Sequence, residues 1–334
     1  MKMEKISLAC GNGASENNAL IEGIFYKHFK NEILEQSNDA SVFEAKGKLA
    51  FSTDSFTISP LFFNGGDIGK LSICGTCNDL VMMGARPKYL SASFIIEEGF
   101  EVARLEEIAI SMAKECEKNG VKIITGDTKV VAKGQADGVY INTAGIGEVV
   151  YEGISASSLS EGDVIIVSNS IGKHGASIFA QREGIELLSK LASDCASLWQ
   201  VLKGVFESGV KIKALRDATR GGLSAVLNEW VKTSKVCIQL QEEHIPISSE
   251  VQGICEFLGL EAYALANEGT FVLAVPESEA EKVLGLLRAN PLSTEAQIIG
   301  RVDREYEGKV VLCSSYGTKR FLDMPSGEIL PRIC

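Results

Sequence analysis

Five aspartates carry the chemistry most legible in this chain. Asp54 stands in Ser52-Thr-Asp-Ser55, Asp127 in Thr125-Gly-Asp-Thr-Lys129, and Asp217 in Arg216-Asp-Ala-Thr-Arg-Gly-Gly222. Asp39 lies in Asn38-Asp-Ala-Ser-Val42, and Asp79 follows Asn78 within a helical segment. Ligands of α/β sheets gather at the carboxyl ends of strands, which suits Asp54 and Asp127 as residues closing two strands. Carboxylates that converge on one cleft repel one another unless a hard cation sits between them. Magnesium with a polyphosphate fits, because it takes few carboxylates and fills its other positions with phosphate oxygen and water. Taken singly, each aspartate reads as well as a turn or cap residue; five together tilt the reading towards a metal–phosphate cleft.

Three further residues could act in such a cleft. Lys129 follows Asp127 by two positions and could balance charge or move a proton, although a solvated lysine is the commoner case. Glu268, in Ala264-Leu-Ala-Asn-Glu-Gly-Thr270, precedes a strand in a stretch of small and apolar residues. A partly buried carboxylate there would gain the raised pKa that a general base needs, with a helix-end residue as the alternative. The last residue, Cys334, ends a tail, Leu322–Cys334, in which Pro325, Pro331 and Gly327 discourage helix and strand. Such a tail reaches roughly 3.3–3.6 Å per residue, so its thiol could visit an active site on its own subunit or a neighbour. A frayed terminus that happens to end in cysteine is the plainer alternative.

Other motifs carry less. Gly65-Gly-Asp-Ile-Gly-Lys-Leu71 is one residue short of a Walker loop and puts Leu71 at the metal-binding hydroxyl position. Gly11-Asn-Gly13 is a short glycine-rich entry to a helix that could touch phosphate. Cys74-Gly-Thr-Cys77 has no second ligand pair for zinc and no thioredoxin-like surroundings. His28, His174 and His244 sit apart, and His174 in Gly172-Lys-His-Gly175 reads as a turn or helix-start residue.

The elements that must position these groups alternate between helix and strand. Strands are predicted at 48–53, 90–96, 121–125 and 137–150, with helices from Leu20 to Leu34, from Asp67 to Gly84 and from Leu105 to Gly120. The Ser- and Gly-rich stretch 151–161 marks a boundary. Strands at 164–168, 236–240, 270–275, 296–302 and 309–313 follow, with helices at 175–184, 198–209, 223–233 and 277–289. The fold class is therefore α/β with mixed sheets, in domains 1–152 and 160–313 plus a mobile tail 314–334. At 334 residues two domains are the natural expectation. A net charge of −11 argues against nucleic acid and anionic membranes as partners. No apolar run approaches the ~18 residues of a membrane span. Nine scattered cysteines fit a reducing cytoplasm.

Several segments resemble the HypE family of hydrogenase maturation proteins. They are Ser52-Thr-Asp-Ser-Phe-Thr-Ile-Ser-Pro-Leu-Phe-Phe63, Gly66-Asp-Ile-Gly-Lys-Leu71, Asn78-Asp-Leu-Val-Met-Met-Gly-Ala-Arg-Pro87, Gly126-Asp-Thr-Lys-Val-Val131, Arg216-Asp-Ala-Thr-Arg-Gly-Gly-Leu223 and the ending Asp323-Met-Pro-Ser-Gly-Glu-Ile-Leu-Pro-Arg-Ile-Cys334. The resemblance runs essentially end to end, and the Pro-Arg-Ile-Cys ending separates the chain from related PurM-like ATP enzymes. It implies two PurM-like domains and a homodimer built on the N-terminal sheets. It also implies Mg-ATP bound by Asp39, Asp54, Asp79, Asp127 and Asp217, with Asn78 and Thr128 in the nucleotide-binding set and Asp39, Asp54, Asp79 and Asp217 on Mg²⁺. Lys129 and Glu268 match the family's proton-handling pair. The implied activity is ATP-dependent dehydration of a carbamoyl group on Cys334 to a thiocyanate, after a HypF-type carbamoyltransferase has loaded it. A HypC–HypD complex is the implied acceptor of the cyano group. The rival readings are a PurM-like enzyme acting on a free small molecule and a non-catalytic nucleotide-binding scaffold. Two positions depart from the family's pattern: its early His-Gly-x-Gly-Gly is Cys10-Gly-Asn-Gly-Ala14 here, and Cys77 replaces a usual aliphatic residue.

Overall fold

The computed structural model describes residues 4–11, 15–36, 40–185, 191–326 and 332–334. After a 3-10 turn over Leu8–Gly11 come α1 (Ser15–Leu20), a π turn over Ile21–Tyr26 and α2 (Lys27–Phe29). This replaces the continuous helix expected from Leu20 to Leu34. The side chain of Asn31 explains the break, because its Oδ1 accepts the backbone N–H of Ile33 and Leu34 and so competes with the helical ladder.

The first sheet is built from β1 (Leu49–Phe56) and, after the short hairpin β2 (Phe62–Phe63) and β3 (Gly66–Asp67), from β4 (Ala85–Glu97), β5 (Lys122–Val131) and β6 (Val139–Val149). Its order is β1-β6-β4-β5, with β4 and β5 parallel and the other pairs antiparallel. Helices α3 (Ile68–Met82) and α4 (Val102–Asn119) connect these strands. Asp67 starts α3 by accepting from the N–H of Gly69 and Lys70, and Gly120 stops α4 with φ 65°. Leu105, Ile108, Ala109, Met112 and Cys116 give α4 one apolar stripe, which joins the buried α3 in the core beneath the sheet.

Strand alternation then decides which side chains face that core. In β1, Ser52, Asp54 and Phe56 lie on the more buried side, while Leu49, Phe51, Thr53 and Ser55 stay exposed. Both β1 and β5 run past the ends that the sequence predicts. β1 runs through Asp54 to Phe56, and β5 runs through Asp127 to Val131, so neither aspartate closes its strand. Pairing with β6 and β4 continues past the apolar residues, because a polar side chain on the exposed face costs the ladder nothing.

The second sheet has the order β13-β12-β9-β11-β7-β10-β8, antiparallel except for the β12–β9 pair. It contains β7 (Asp163–Val167), β8 (Ala214–Asp217), β9 (Cys237–Gln241), β10 (Phe271–Pro276), β11 (Gln297–Asp303), β12 (Val310–Cys313) and β13 (Lys319–Phe321). The helices α5 (Lys173–Arg182), α6 (Trp199–Glu207), α7 (Gly222–Ser234), α8 (Ser249–Leu258) and α9 (Ala280–Arg288) belong to this half. α8 and β8 carry no sequence expectation, and β8 has only four residues. Part of the segment expected to be a mobile tail is paired or packed in this structure. β13 pairs with β12 through a turn at Gly317, and the last residues pack against the core of the first domain. No helix among the described residues is long and apolar enough to cross a membrane.

Candidate active site

The chain end lies between the two domains. Thr57 N–H donates to Cys334 O at 3.0 Å and Ser59 N–H to Arg332 O at 3.3 Å, laying Arg332–Cys334 alongside the continuation of β1. Arg332 Nε donates to Thr57 O at 2.8 Å, and its Nη1 pairs with Asp137 at 2.6 Å. Ile333 is buried in the first core. From the second domain, Arg182 donates to the carbonyls of Ser59 and Arg332. His174 Nε2 lies 2.7 Å from Ile333 O. The half-buried Cys334 thiol is thereby seated by contacts along the whole of Arg332–Cys334.

Electrostatics show what surrounds that thiol. Burial pushes it up to about 12, the negative charges of Glu268 and Asp54 add to the rise, and Arg220 opposes it. Glu268 is only 4% exposed. Burial first, and then Cys195, Asp217, Asp194 and Asp54, push its carboxyl well above the usual range. Asp194 holds the Glu268 segment by accepting the N–H of Glu268 and Gly269 and the hydroxyl of Thr270, at 3.0, 3.1 and 2.8 Å.

Asp217, at the end of β8, is raised to about 7 by burial and then by the charge of Asp79. Asp79 is itself raised by burial, with Asp54 adding to the effect, while Ser52 Oγ donates to its Oδ2 at 2.7 Å. Gly75 on α3 allows this approach. A Cβ there would meet the Phe56 ring at 2.9 Å and stand 3.9 Å from Asp54 Oδ2. Asp54 thus adds to the rise of both Asp79 and Asp217, with Arg216 opposing in each case, and three carboxylates this close favour a bound cation. Among the described residues, no three His, Cys, Asp or Glu side chains are grouped closely enough to cage a metal by themselves. That combination suits a divalent cation whose remaining ligands come from a phosphate group and water.

The predicted residues divide between places. Asp54, Asp79, Asp217, Glu268 and Cys334 share the cleft; Asp127, Thr128 and Lys129 do not. Asp127 belongs to the row Ser55–Asn142–Ser93–Asp127 on the opposite edge strand, about 14 Å away at about 4.8 Å per strand spacing. There Lys129 Nζ pairs with Asp127 at 2.8 Å and holds that carboxyl below the usual range. Thr128 is buried, and its backbone N–H donates to Asp127. A cavity of about 320 Å³ beside them is lined by Gly11, Phe25, Phe94 and Ile123.

The Asn78 amide is engaged by backbone groups of the second domain. Its Oδ1 accepts Leu198 N–H at 2.8 Å and its Nδ2 donates to Ala196 O at 3.0 Å, so the amide ties α3 to the second domain. Asp39 and most of the Gly11-Asn-Gly13 entry lie outside the described residues. Cys74 and Cys77 are buried free thiols, and Cys74 Sγ points at Glu115 at 3.7 Å. Sequence reasoning missed Arg220, Asp194, Arg182 and the reach of His174. Arg220 stood in view inside Arg216–Gly222; the others carry no local signal.

Two family profiles match the chain. "AIR synthase related protein, N-terminal domain" covers residues 37–149, and "AIR synthase related protein, C-terminal domain" covers 160–313. The carbamoyl dehydratase HypE of Rhodobacter capsulatus is 44% identical over 339 residues, covering 100% of this chain and 99% of the relative. A crystal structure of the hydrogenase maturation protein HypE in complex with ATP superposes with a TM-score of 0.94 at 43% identity, covering 98% of this chain and 99% of the other. A chain of the HypE–HypF complex matches with a TM-score of 0.80 at 44% identity, over 92% and 100% of the two chains. Identity at this level along the whole length, on two AIR synthase related domains, places this chain in the HypE carbamoyl dehydratase family.

Proposed function

We propose that this protein dehydrates a carbamoyl group carried on Cys334 to a thiocyanate, at the expense of ATP, to supply a cyano ligand for a nickel–iron hydrogenase. The observation that carries this reading is the Cys334 thiol seated beside Glu268, in the cleft bordered by Asp54, Asp79 and Asp217. The carbamoyl oxygen of S–C(=O)–NH₂ attacks the γ-phosphorus and ADP leaves. One N–H proton departs as the C=N bond forms, and the second as phosphate is expelled to give S–C≡N. Glu268, buried among carboxylates, is a strong base whenever it is ionised, and it takes one of these protons. Lys129, in its neutral amine form, is the second acceptor. Asp54, Asp79 and Asp217, with Asp39, would hold Mg²⁺ together with a bound polyphosphate. When bound, the ion neutralises charge on the transferring phosphoryl group. Asp127 serves the nucleotide beside the cavity at β5.

Lys129 is too far along the sheet to serve the cleft of its own subunit. A homodimer packed through the exposed outer faces of the N-terminal sheets, which carry Phe51 and Ile95, would set the β5 edge of one subunit over the β1 edge of the other. A HypF-type carbamoyltransferase loads the tail, and a HypC–HypD complex accepts the cyano group, in a reducing cytoplasm that keeps the thiol free.

The test is to carbamoylate the protein, add Mg-ATP and follow the C-terminal peptide by mass. Loss of one water from that peptide, stoichiometric with phosphate release, is the expected result, and chelation of magnesium should stop both. A Cys334→Ala variant that still delivers cyanide would end this reading.

A further inference from the structure

His174 is the second residue of α5 and is wholly buried. A buried imidazole has two nitrogens to satisfy. Nδ1 lies 2.7 Å from Ser193 Oγ and Nε2 lies 2.7 Å from Ile333 O. A carbonyl oxygen can only accept, so the proton is on Nε2. Ser193 Oγ already accepts the Cys195 N–H at 3.0 Å, which leaves its hydroxyl proton to donate to Nδ1. The result is one directed chain: Cys195 N–H to Ser193 Oγ–H, to His174 Nδ1, then Nε2–H to the tail. The edge-on contact with Phe63, with ring centroids 5.6 Å apart and planes at 86°, keeps the imidazole from turning.

The loop at the start of this chain also seats the proposed base. Asp194 accepts the N–H of Glu268, and Ala196 N–H donates to Glu268 O at 3.2 Å. Residues 193–196 therefore touch the tail through His174 on one side and the Glu268 backbone on the other. A histidine needed only for packing would not require its Nε2 to meet the penultimate carbonyl of the chain. At the far end of α5, Arg182 donates to the next carbonyl back, Arg332 O, so one helix reads two successive peptide groups of the tail.

We propose that His174 is a positioning residue for the reaction. It holds the Ile333 carbonyl and, through Ser193, ties the arriving tail to the loop that carries Glu268. The sulfur of Cys334 and its proton acceptor are then set by one hydrogen-bonded chain. This rests on the dehydratase reading for its purpose, but tail docking can be measured without any carbamoyl group.

The experiment uses the full-length, uncarbamoylated protein. Iodoacetamide alkylation of Cys334 is timed by mass of the C-terminal peptide, alongside the melting temperature, for the parent and for His174→Leu, His174→Gln and Ser193→Ala. Loss of a buried hydrogen bond should speed alkylation about tenfold in His174→Leu. His174→Gln keeps a donor for the carbonyl and should stay within about threefold of the parent, with Ser193→Ala between the two. In single turnover of the carbamoylated protein, dehydration slows in the same order while the apparent ATP affinity is unchanged. Alkylation of His174→Leu within twofold of the parent overturns the proposal, as does a Gln variant as fast as the Leu variant. Should His174→Leu fail to fold, Ser193→Ala decides, and unchanged alkylation there overturns it equally. A parent that never forms thiocyanate, yet shows the graded alkylation, refutes the dehydratase reading and leaves the clamp standing.

Discussion

Burial and the neighbouring Glu268 and Asp54 carboxylates keep the docked Cys334 thiol protonated at neutral pH. A thiol whose pKa rises from 9.0 to about 12 on docking supports the docked state fully below pH 9 and loses that support as pH climbs towards 12. Cys334 alkylation in the native protein should therefore stay slow at pH 8 and accelerate steeply above pH 9, whereas the same cysteine in denaturant titrates near its ordinary value. Identical profiles in the two states would show that the thiol is not seated. Glu268→Gln tests the base at the same scale. General-base removal is worth about 10²–10⁴ in rate, so single-turnover dehydration should drop by about that factor with ATP binding intact. An unchanged rate removes Glu268 from the chemistry.

At the scale of elements, α3 does two jobs that its sequence only half discloses. Its capping by Asp67 and its place before Gly84 are written locally, and Asp79 was legible as an acidic residue within a helix. The use of Asn78 was not, because its partners Ala196 and Leu198 lie 118 and 120 residues away. Asn78→Leu should leave those two backbone groups unsatisfied, at about 1–3 kcal/mol each. The melting temperature should then fall by several degrees, with little change in nucleotide affinity. Lost affinity at an unchanged melting temperature would return Asn78 to the nucleotide site. The β1 and β5 ends teach a related lesson. Apolar alternation located β1 and a short apolar run located β5, but their length was set by laddering with β6 and β4, which runs on through polar residues that neither signal counts.

At the scale of the whole molecule, the cleft draws on both domains, and the proposed dimer adds a second subunit. Mixing inactive Lys129→Ala and Glu268→Ala proteins tests that arrangement. If each site takes Lys129 from the partner, a mixed dimer contains one site with both residues intact and should recover about half of a normal dimer's dehydration, from simple site counting with independent sites. No recovery from verified mixed dimers would show that Lys129 acts within its own subunit or not at all.

Residue types and spacings sufficed for the acidic set, the terminal thiol, the alternating α/β pattern and the family resemblance, because each is written in neighbouring residues. Packing alone decided that Glu268 and Asp54 stand beside Cys334, with Asp79 and Asp217 next to Asp54, while Lys129 stands on the far edge of the sheet. It also brought His174 against a carbonyl 159 residues away. Contacts of that kind depend on which faces two domains bury against each other, and no local periodicity encodes them.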